Sequence, residues 1–94
     1  MAKIKTSRFD PAAYLDSDEA IAEYLNAALE TEDVALICDA LGVVARAKGM
    51  AGIAEKTGLG RESLYKTLSI NGNPELSTVL KVMNALGLHL QAAA

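Results

Sequence analysis

Residues 50–69 carry a spacing that strongly restricts how this part of the chain can fold. Ala54 is small enough to let a second helix cross beside it, and Gly58, four residues later, tolerates the positive φ of a tight turn. Leu59 follows as an apolar plug, and Leu64 comes ten residues after Ala54, where a second helix would contact the first. The stretch predicts two short helices, at 51–57 and 61–69, joined at a steep angle.

The rest of the chain also reads as helical, so we expect an all-α fold of five helices. Apolar residues recur at helical spacing over three stretches, 17–30, 34–47 and 75–86. Val34 begins the inward stripe of the second stretch, and Leu76 and Leu80 are expected to face inward in the third. Asp16 and Thr31 are predicted to cap two of these helices. Residues 88–91 alternate in hydropathy and fit a short C-terminal strand, which would need a second chain to pair with.

Length and composition indicate one small domain without enzymatic chemistry. We expect a leader at residues 1–15 and a helical domain at 16–94. No apolar run is long enough to span a bilayer, no secretory signal is visible, and the single cysteine fits a reducing compartment, so the expected location is cytoplasmic. With one histidine, His89, the chain can build neither a catalytic triad nor a metal cluster, and we expect no cofactor. Cys38 is expected to be a small core residue.

The two ends of the chain differ in charge although the net charge is only −3. Residues 1–33 contain three Lys or Arg and eight Asp or Glu, which gives −5. Residues 34–94 contain six Lys or Arg and four Asp or Glu, which gives +2. An acidic end and a locally basic middle indicate two different partners.

The predicted second helix at 61–69 presents a polar face that suits DNA. A helix of this kind fits the major groove, where Arg61 can pair bidentately with guanine and Lys66 can reach guanine or phosphate. The candidate contacts on this helix and at its start are Gly60, Arg61, Glu62, Ser63, Tyr65 and Lys66, and Ser69 is expected on the same open face. Candidate backbone contacts are Lys48, Lys56, Asn71 and Asn73. The alternative is an ordinary helical hairpin in which Glu62 and Lys66, four residues apart, form a surface ion pair.

The segment 50–69, followed by Asn73-Pro74 and the helix at 75–86, resembles the lambda-repressor-like (Xre/Cro-type) helix-turn-helix family. The sequence before it is similar to the leader of the addiction-module antidote proteins, which are HigA-like antitoxins of bacterial type II toxin–antitoxin pairs. This second similarity rests on TSRFDPAAYL at 6–15 and EAIAEYLNAAL at 19–29. Together the two resemblances cover about residues 5 to 91.

The resemblance implies a homodimer that binds its own operator and represses its operon. It also implies a small toxin of the RelE superfamily (HigB-like) that cleaves mRNA, and the acidic stretch 1–33 suits such a basic partner. By position, Gly60, Arg61, Glu62 and Lys66 match the base-facing residues of the family. The chain departs from the family pattern at Gly60, where relatives often have a Ser cap, at Gly52 inside the first helix of the motif, and at Met50, where Gln is common.

The leader supplies the candidate toxin contacts Phe9, Tyr14 and Leu15, as aromatic and apolar anchors within an acidic surface. The alternative is a leader that only covers the core of the domain. Two other functions stay open from sequence. One is a phage- or plasmid-type repressor that acts without a toxin, and the other is a protein-interaction module that has lost DNA binding.

Overall fold

The computed structural model describes residues 11–94, and within that range every regular element is helical. A single 3-10 turn at Pro11–Tyr14 precedes five α-helices. These are α1 at Asp18–Thr31, α2 at Val34–Lys48, α3 at Met50–Thr57, α4 at Arg61–Thr67 and α5 at Leu76–Ala85. The predicted all-α class and the number of helices are confirmed over this range, in which no helix has the length and apolarity to cross a membrane.

The first two helices begin at side-chain caps that differ from the predicted ones. Ser17 caps α1, because its Oγ accepts a hydrogen bond from the backbone N–H of Ala20 at 3.1 Å. Asp33 caps α2 by accepting from two backbone N–H groups, the nearer at 3.0 Å. The predictions of Asp16 and Thr31 as caps were therefore wrong. Thr31 instead ends α1, where its Oγ1 donates to the carbonyl oxygen of Ala28 and accepts from the N–H of Asp33.

α2 is the central helix of the fold, since it contacts α1, α3, α4 and the 3-10 turn. Its residues Leu41 and Val44 are among the least exposed of the core. The core draws on every α-helix, through Ile21, Leu25, Ala40, Leu41, Val44, Ala45, Met50, Ile53, Leu64, Leu68, Val82, Met83 and Leu86. A core shared by all five helices makes each one depend on its neighbours for stability.

Three residues predicted to face inward lie on the surface. Val34 is 61% exposed because it sits at the first turn of α2, next to the corner with α1. Leu76 is 66% exposed at the start of α5, and Leu80, one turn later, is 46% exposed. On α5 the buried residues are Val82 and Met83, so the inward face of the helix is rotated from the predicted stripe.

The C-terminal residues form no strand within the described chain, so that prediction was wrong. Gly87 takes a positive φ of 79° after α5, and the N–H of Leu88 then donates to the carbonyl oxygen of Met83 at 2.9 Å. This hydrogen bond is the typical closure of a helix end at a left-handed glycine. It turns Leu88 back so that its side chain packs, half-buried, on the core of its own chain.

Gly42 lies within α2 at the point where the chain leaving α4 comes closest to it. A Cβ at this position would overlap the backbone carbonyl group of Leu68, the residue that ends α4. Because glycine has no side chain, the backbone of Leu68 approaches α2 more closely than any other residue at position 42 would permit. Leu68 is buried at this contact, and the end of α4 is fixed against α2.

We predict that Gly42→Ala destabilises the fold by about 1–3 kcal/mol, because the added methyl group forces α2 and the end of α4 apart. Gly52→Ala is the matched control, since Gly52 lies in α3 with open space around an added Cβ. That change should instead stabilise the fold by about 0.5–1 kcal/mol through helix propensity. Urea denaturation followed by circular dichroism measures both, and equal effects of the two changes would contradict the proposed contact.

Candidate functional site

The turn between α3 and α4 has the geometry that the spacing of Ala54 and Gly58 predicts. Gly58 adopts a left-handed φ of 76°, and its N–H donates to the carbonyl oxygen of Ala54 at 2.9 Å. The hydroxyl of Thr57 donates to the carbonyl oxygen of Ile53 at 2.8 Å and accepts from the N–H of Leu59 at 3.3 Å. Thr57 thus ties the end of α3 to the residue that leads into α4.

The inner side of α4 is anchored by a small number of apolar side chains. Leu64 is only 1% exposed, and Leu68 follows one turn later at the contact with Gly42. Ile53 of α3 is buried in the same core, and Leu59 packs against it. α4 ends at Thr67, two residues earlier than predicted, because the chain leaves helical geometry at Leu68.

The outer side of α4 is fully polar apart from one tyrosine ring. Tyr65 is 45% exposed, which leaves its ring on the surface rather than in the core. The residues predicted to contact bases are all exposed on this helix or just before it: Gly60, Arg61, Glu62, Ser63, Tyr65 and Lys66. Ser69 lies outside this set, because it is half-buried and its hydroxyl donates to the carbonyl oxygen of Lys66 at 2.8 Å. Gly60 caps α4 in extended geometry without a side-chain hydrogen bond.

The predicted phosphate contacts are distributed over three places. Asn71 and Asn73 are exposed in the turn that follows α4. Lys56 lines a groove of about 780 Å³ between α3 and α5, together with Lys81 of α5. The Nζ of Lys48 lies 3.1 Å from a carboxylate oxygen of Asp18, so it joins the end of α2 to the start of α1. Such an exposed ion pair contributes at most about 1 kcal/mol and can be exchanged for another anion.

The N-terminal part of the described chain is acidic. Residues 11–45 contain eight carboxylates and neither Lys nor Arg. On α1, the exposed residues Glu19, Glu23 and Glu30 recur at helical spacing along one face. Residues 46–94 contain six Lys or Arg and three Glu. Negative charge therefore predominates on α1 and the first part of α2. Positive charge predominates from the end of α2 through α3 to α5.

Two of the three predicted toxin contacts lie in the described part of the chain. Tyr14, at the end of the 3-10 turn, is 65% exposed. Leu15 is half-buried and packs against the core, so part of its surface is used within the domain. Phe9 lies outside the described residues. The 3-10 turn that carries Tyr14 packs on α2 and belongs to the acidic stretch 11–45.

The cysteine, histidine and carboxylate side chains are the groups that could act in catalysis or bind a metal. Cys38 is buried in α2, and burial raises the pKa of its thiol, which disfavours the reactive thiolate. Between residues 11 and 94, no three His, Cys, Asp or Glu side chains come together as metal ligands. His89 is exposed near the C-terminus.

Sequence reasoning missed two residues that position α4. Gly42 had a detectable signal, since a glycine between Leu41 and Val43 inside an apolar helical stripe costs helix stability and calls for a packing reason. Thr57 directly precedes the turn glycine, where a hydroxyl can bond to the preceding turn of helix. Both residues act on the orientation of α4 and neither belongs to its exposed face.

Comparison with known proteins finds similarity over nearly all of the sequence. Residues 5–94 match the protein family described as "Probable addiction module antidote protein". An uncharacterised protein of Haemophilus influenzae is 51% identical over 83 residues, which cover 88% of this chain and 86% of the relative. No solved structure matches the chain. On these two matches, the chain belongs to the family of probable addiction module antidote proteins.

Proposed function

We propose that the protein is a DNA-binding antitoxin that represses its own operon and neutralises a HigB-like, mRNA-cleaving toxin of the RelE superfamily. An antidote of an addiction module acts on a toxin, so family membership supports a toxin partner and a regulatory, non-enzymatic role. It argues against a repressor that acts without a toxin. The similarity to HigA-like, Xre-type proteins supports the finer assignment of the DNA-binding domain and of the toxin class.

The observation that carries the DNA-binding part is the exposed face of α4. Leu64 buries one side of this helix, and the turn at Gly58 projects the other side away from the core. Arg61 and Lys66 are then on a surface where they can enter a major groove. The proposed contacts to the DNA backbone are Lys56, Asn71 and Asn73. Lys48 becomes a further contact when its ion pair with Asp18 is replaced by one with a phosphate.

A repressor of this kind binds a two-fold symmetric operator as a homodimer. The exposed apolar side chains available for a symmetric contact include Leu90 near the C-terminus, 44% exposed. Leu88 contributes less to such a contact than its alternation with Leu90 indicated, because it packs on its own core.

The toxin-binding part rests on charge and on the leader at residues 1–15. A ribonuclease that cleaves mRNA has to present a basic surface to the RNA backbone. Residues 11–45 have no positive charge to oppose such a surface. Phe9 and Tyr14 are the proposed aromatic anchors, with Leu15 contributing the part of its surface that its own core leaves uncovered.

We predict that Arg61→Ala weakens binding to a duplex from the protein's own promoter by about 1–3 kcal/mol and relaxes preference at one base pair. Arg61→Lys is the matched variant, because it keeps the charge but loses bidentate pairing with guanine. It should retain the salt dependence of binding and lose the base preference. Gel-shift titrations over a salt series measure both quantities, and unchanged preference in both variants would refute the base contact. Absence of any salt-dependent shift by the unmodified protein would favour an interaction module without DNA binding.

We predict that Tyr14→Ala weakens toxin binding by about 1 kcal/mol or more, because an exposed aromatic anchor is removed. Tyr65→Ala is the control, since this exposed tyrosine lies on α4 and should affect operator binding only. Leu15→Ala should lower the melting temperature, because its side chain packs on the core. Calorimetric titration with the toxin distinguishes the variants. Toxin affinity that is equal for Tyr14→Ala and the unmodified protein would contradict the assignment of this residue.

A further inference from the structure

A groove of about 670 Å³ separates α1 from the residues that follow α5. Its lining includes Leu25 and Leu29 of α1, Met83 of α5 and Leu88 of the C-terminal segment. All four of these side chains belong to or pack against the buried core, and they supply the apolar part of the lining. Asn26, His89 and Gln91 line the groove beside them. We call this feature the C-terminal groove.

The lining of the C-terminal groove includes two carboxylates. Glu30 and Glu32 both line it, and both are exposed. Neither forms an ion pair or a side-chain hydrogen bond with another residue in the described range 11–94. No Lys or Arg lines the groove. The two negative charges are therefore available to a cation from outside the chain.

Glu32 holds its carboxylate there in an unusual backbone conformation. It ends α1 with a φ of 57°, and it is the one non-glycine residue with positive φ among those described. Glycine is the usual residue at this position of a helix end, because it adopts positive φ without strain. At position 32 the backbone conformation favours glycine, yet the chain has a charged side chain there, beside the groove.

A groove lined by apolar side chains and by two carboxylates matches the chemistry of one side-chain type. The methylene stem of arginine or lysine packs on apolar surface while its charged end stays in a polar environment. Arginine fits best, since its planar guanidinium carries five N–H donors in a fixed geometry that matches a carboxylate. We propose that the C-terminal groove binds an arginine-bearing basic segment of the toxin, a statement that rests on the antitoxin function proposed above.

Charge favours this occupant over a second copy of the chain. A two-fold contact across the groove would bring Glu30 and Glu32 toward the same acidic region of the other copy. DNA is disfavoured for the same reason, because its phosphates would meet the carboxylates of residues 11–45. A basic toxin is attracted by all eight carboxylates of that region and meets the groove within it.

The first experiment measures affinity of the full chain for the toxin, the protein encoded beside it, by calorimetry. The double variant Glu30→Gln/Glu32→Gln should bind roughly tenfold or more weakly, because two charge-assisted contacts are lost. The control Glu55→Gln/Glu75→Gln changes the net charge equally at exposed positions away from the groove, and should bind like the unmodified protein. If both double variants bound the toxin equally weakly, overall charge would explain the loss of affinity, and the groove site would be overturned.

Glu32→Gly separates binding from folding. This change should raise the melting temperature, because glycine relieves the positive φ, while toxin affinity falls. A variant that is more stable yet binds less well cannot owe its loss of binding to unfolding. Unchanged toxin affinity of both Glu32→Gly and the double glutamine variant would overturn the proposal and leave the antitoxin function intact.

A second experiment tests the groove without the toxin. A capped Leu-Arg-Leu peptide is titrated into the isotope-labelled full chain, with the citrulline peptide as neutral control, and amide chemical shifts are followed. The proposal expects saturable shifts at residues 25–32 and 88–91 with the arginine peptide only. Equal or absent responses to the two peptides would overturn the arginine site. If the unmodified protein binds no toxin at all, the proposed antitoxin function fails, and this titration still decides whether the groove binds arginine.

Discussion

The contact between Gly42 and the end of α4 determines where the exposed face of α4 points. α4 has only seven residues and would not be stable alone, so its position depends on the surfaces on which it packs. Leu64 anchors its middle, while the backbone of Leu68 rests directly on the bare backbone of α2 at Gly42. A side chain at residue 42 would push this end outward and tilt the helix. The orientation of Arg61 and Lys66 therefore depends on a residue that makes no contact with a ligand.

The second organising feature is the division of charge across a very small domain. α2 contacts α1 as well as α3 and α4, so the acidic helix and the proposed DNA-binding helices share one support. The eight carboxylates of residues 11–45 have one described ion-pair partner, Lys48, which joins Asp18 where the acidic part of the chain meets the basic part. In the proposed function, the acidic part would repel DNA and attract a basic protein. A net charge of −3 thus combines an acidic and a basic segment.

The sequence was most informative where local spacing decides structure, and least where distant packing does. Ala54, Gly58 and Leu64 predicted the turn correctly because their roles depend on neighbours a few residues away. The caps were misassigned because Asp16 and Ser17, like Thr31 and Asp33, are all competent caps one or two residues apart, and backbone geometry selects between them. The alternation at 88–91 resembled a strand, but the glycine closure after α5 turns Leu88 onto the core. The C-terminal groove is formed by α1 and by residues that lie far away in sequence, so no local sequence pattern predicts it.

In the proposed function, one domain binds DNA and a toxin on separate surfaces. Sedimentation velocity with a labelled duplex from the protein's own promoter and with purified toxin distinguishes separate surfaces from a shared one. We expect a ternary complex that sediments faster than the protein–DNA complex, with two copies of this chain on each duplex and toxin bound to both. Release of the duplex as toxin saturates the protein would contradict it, because the two ligands would then compete for one surface.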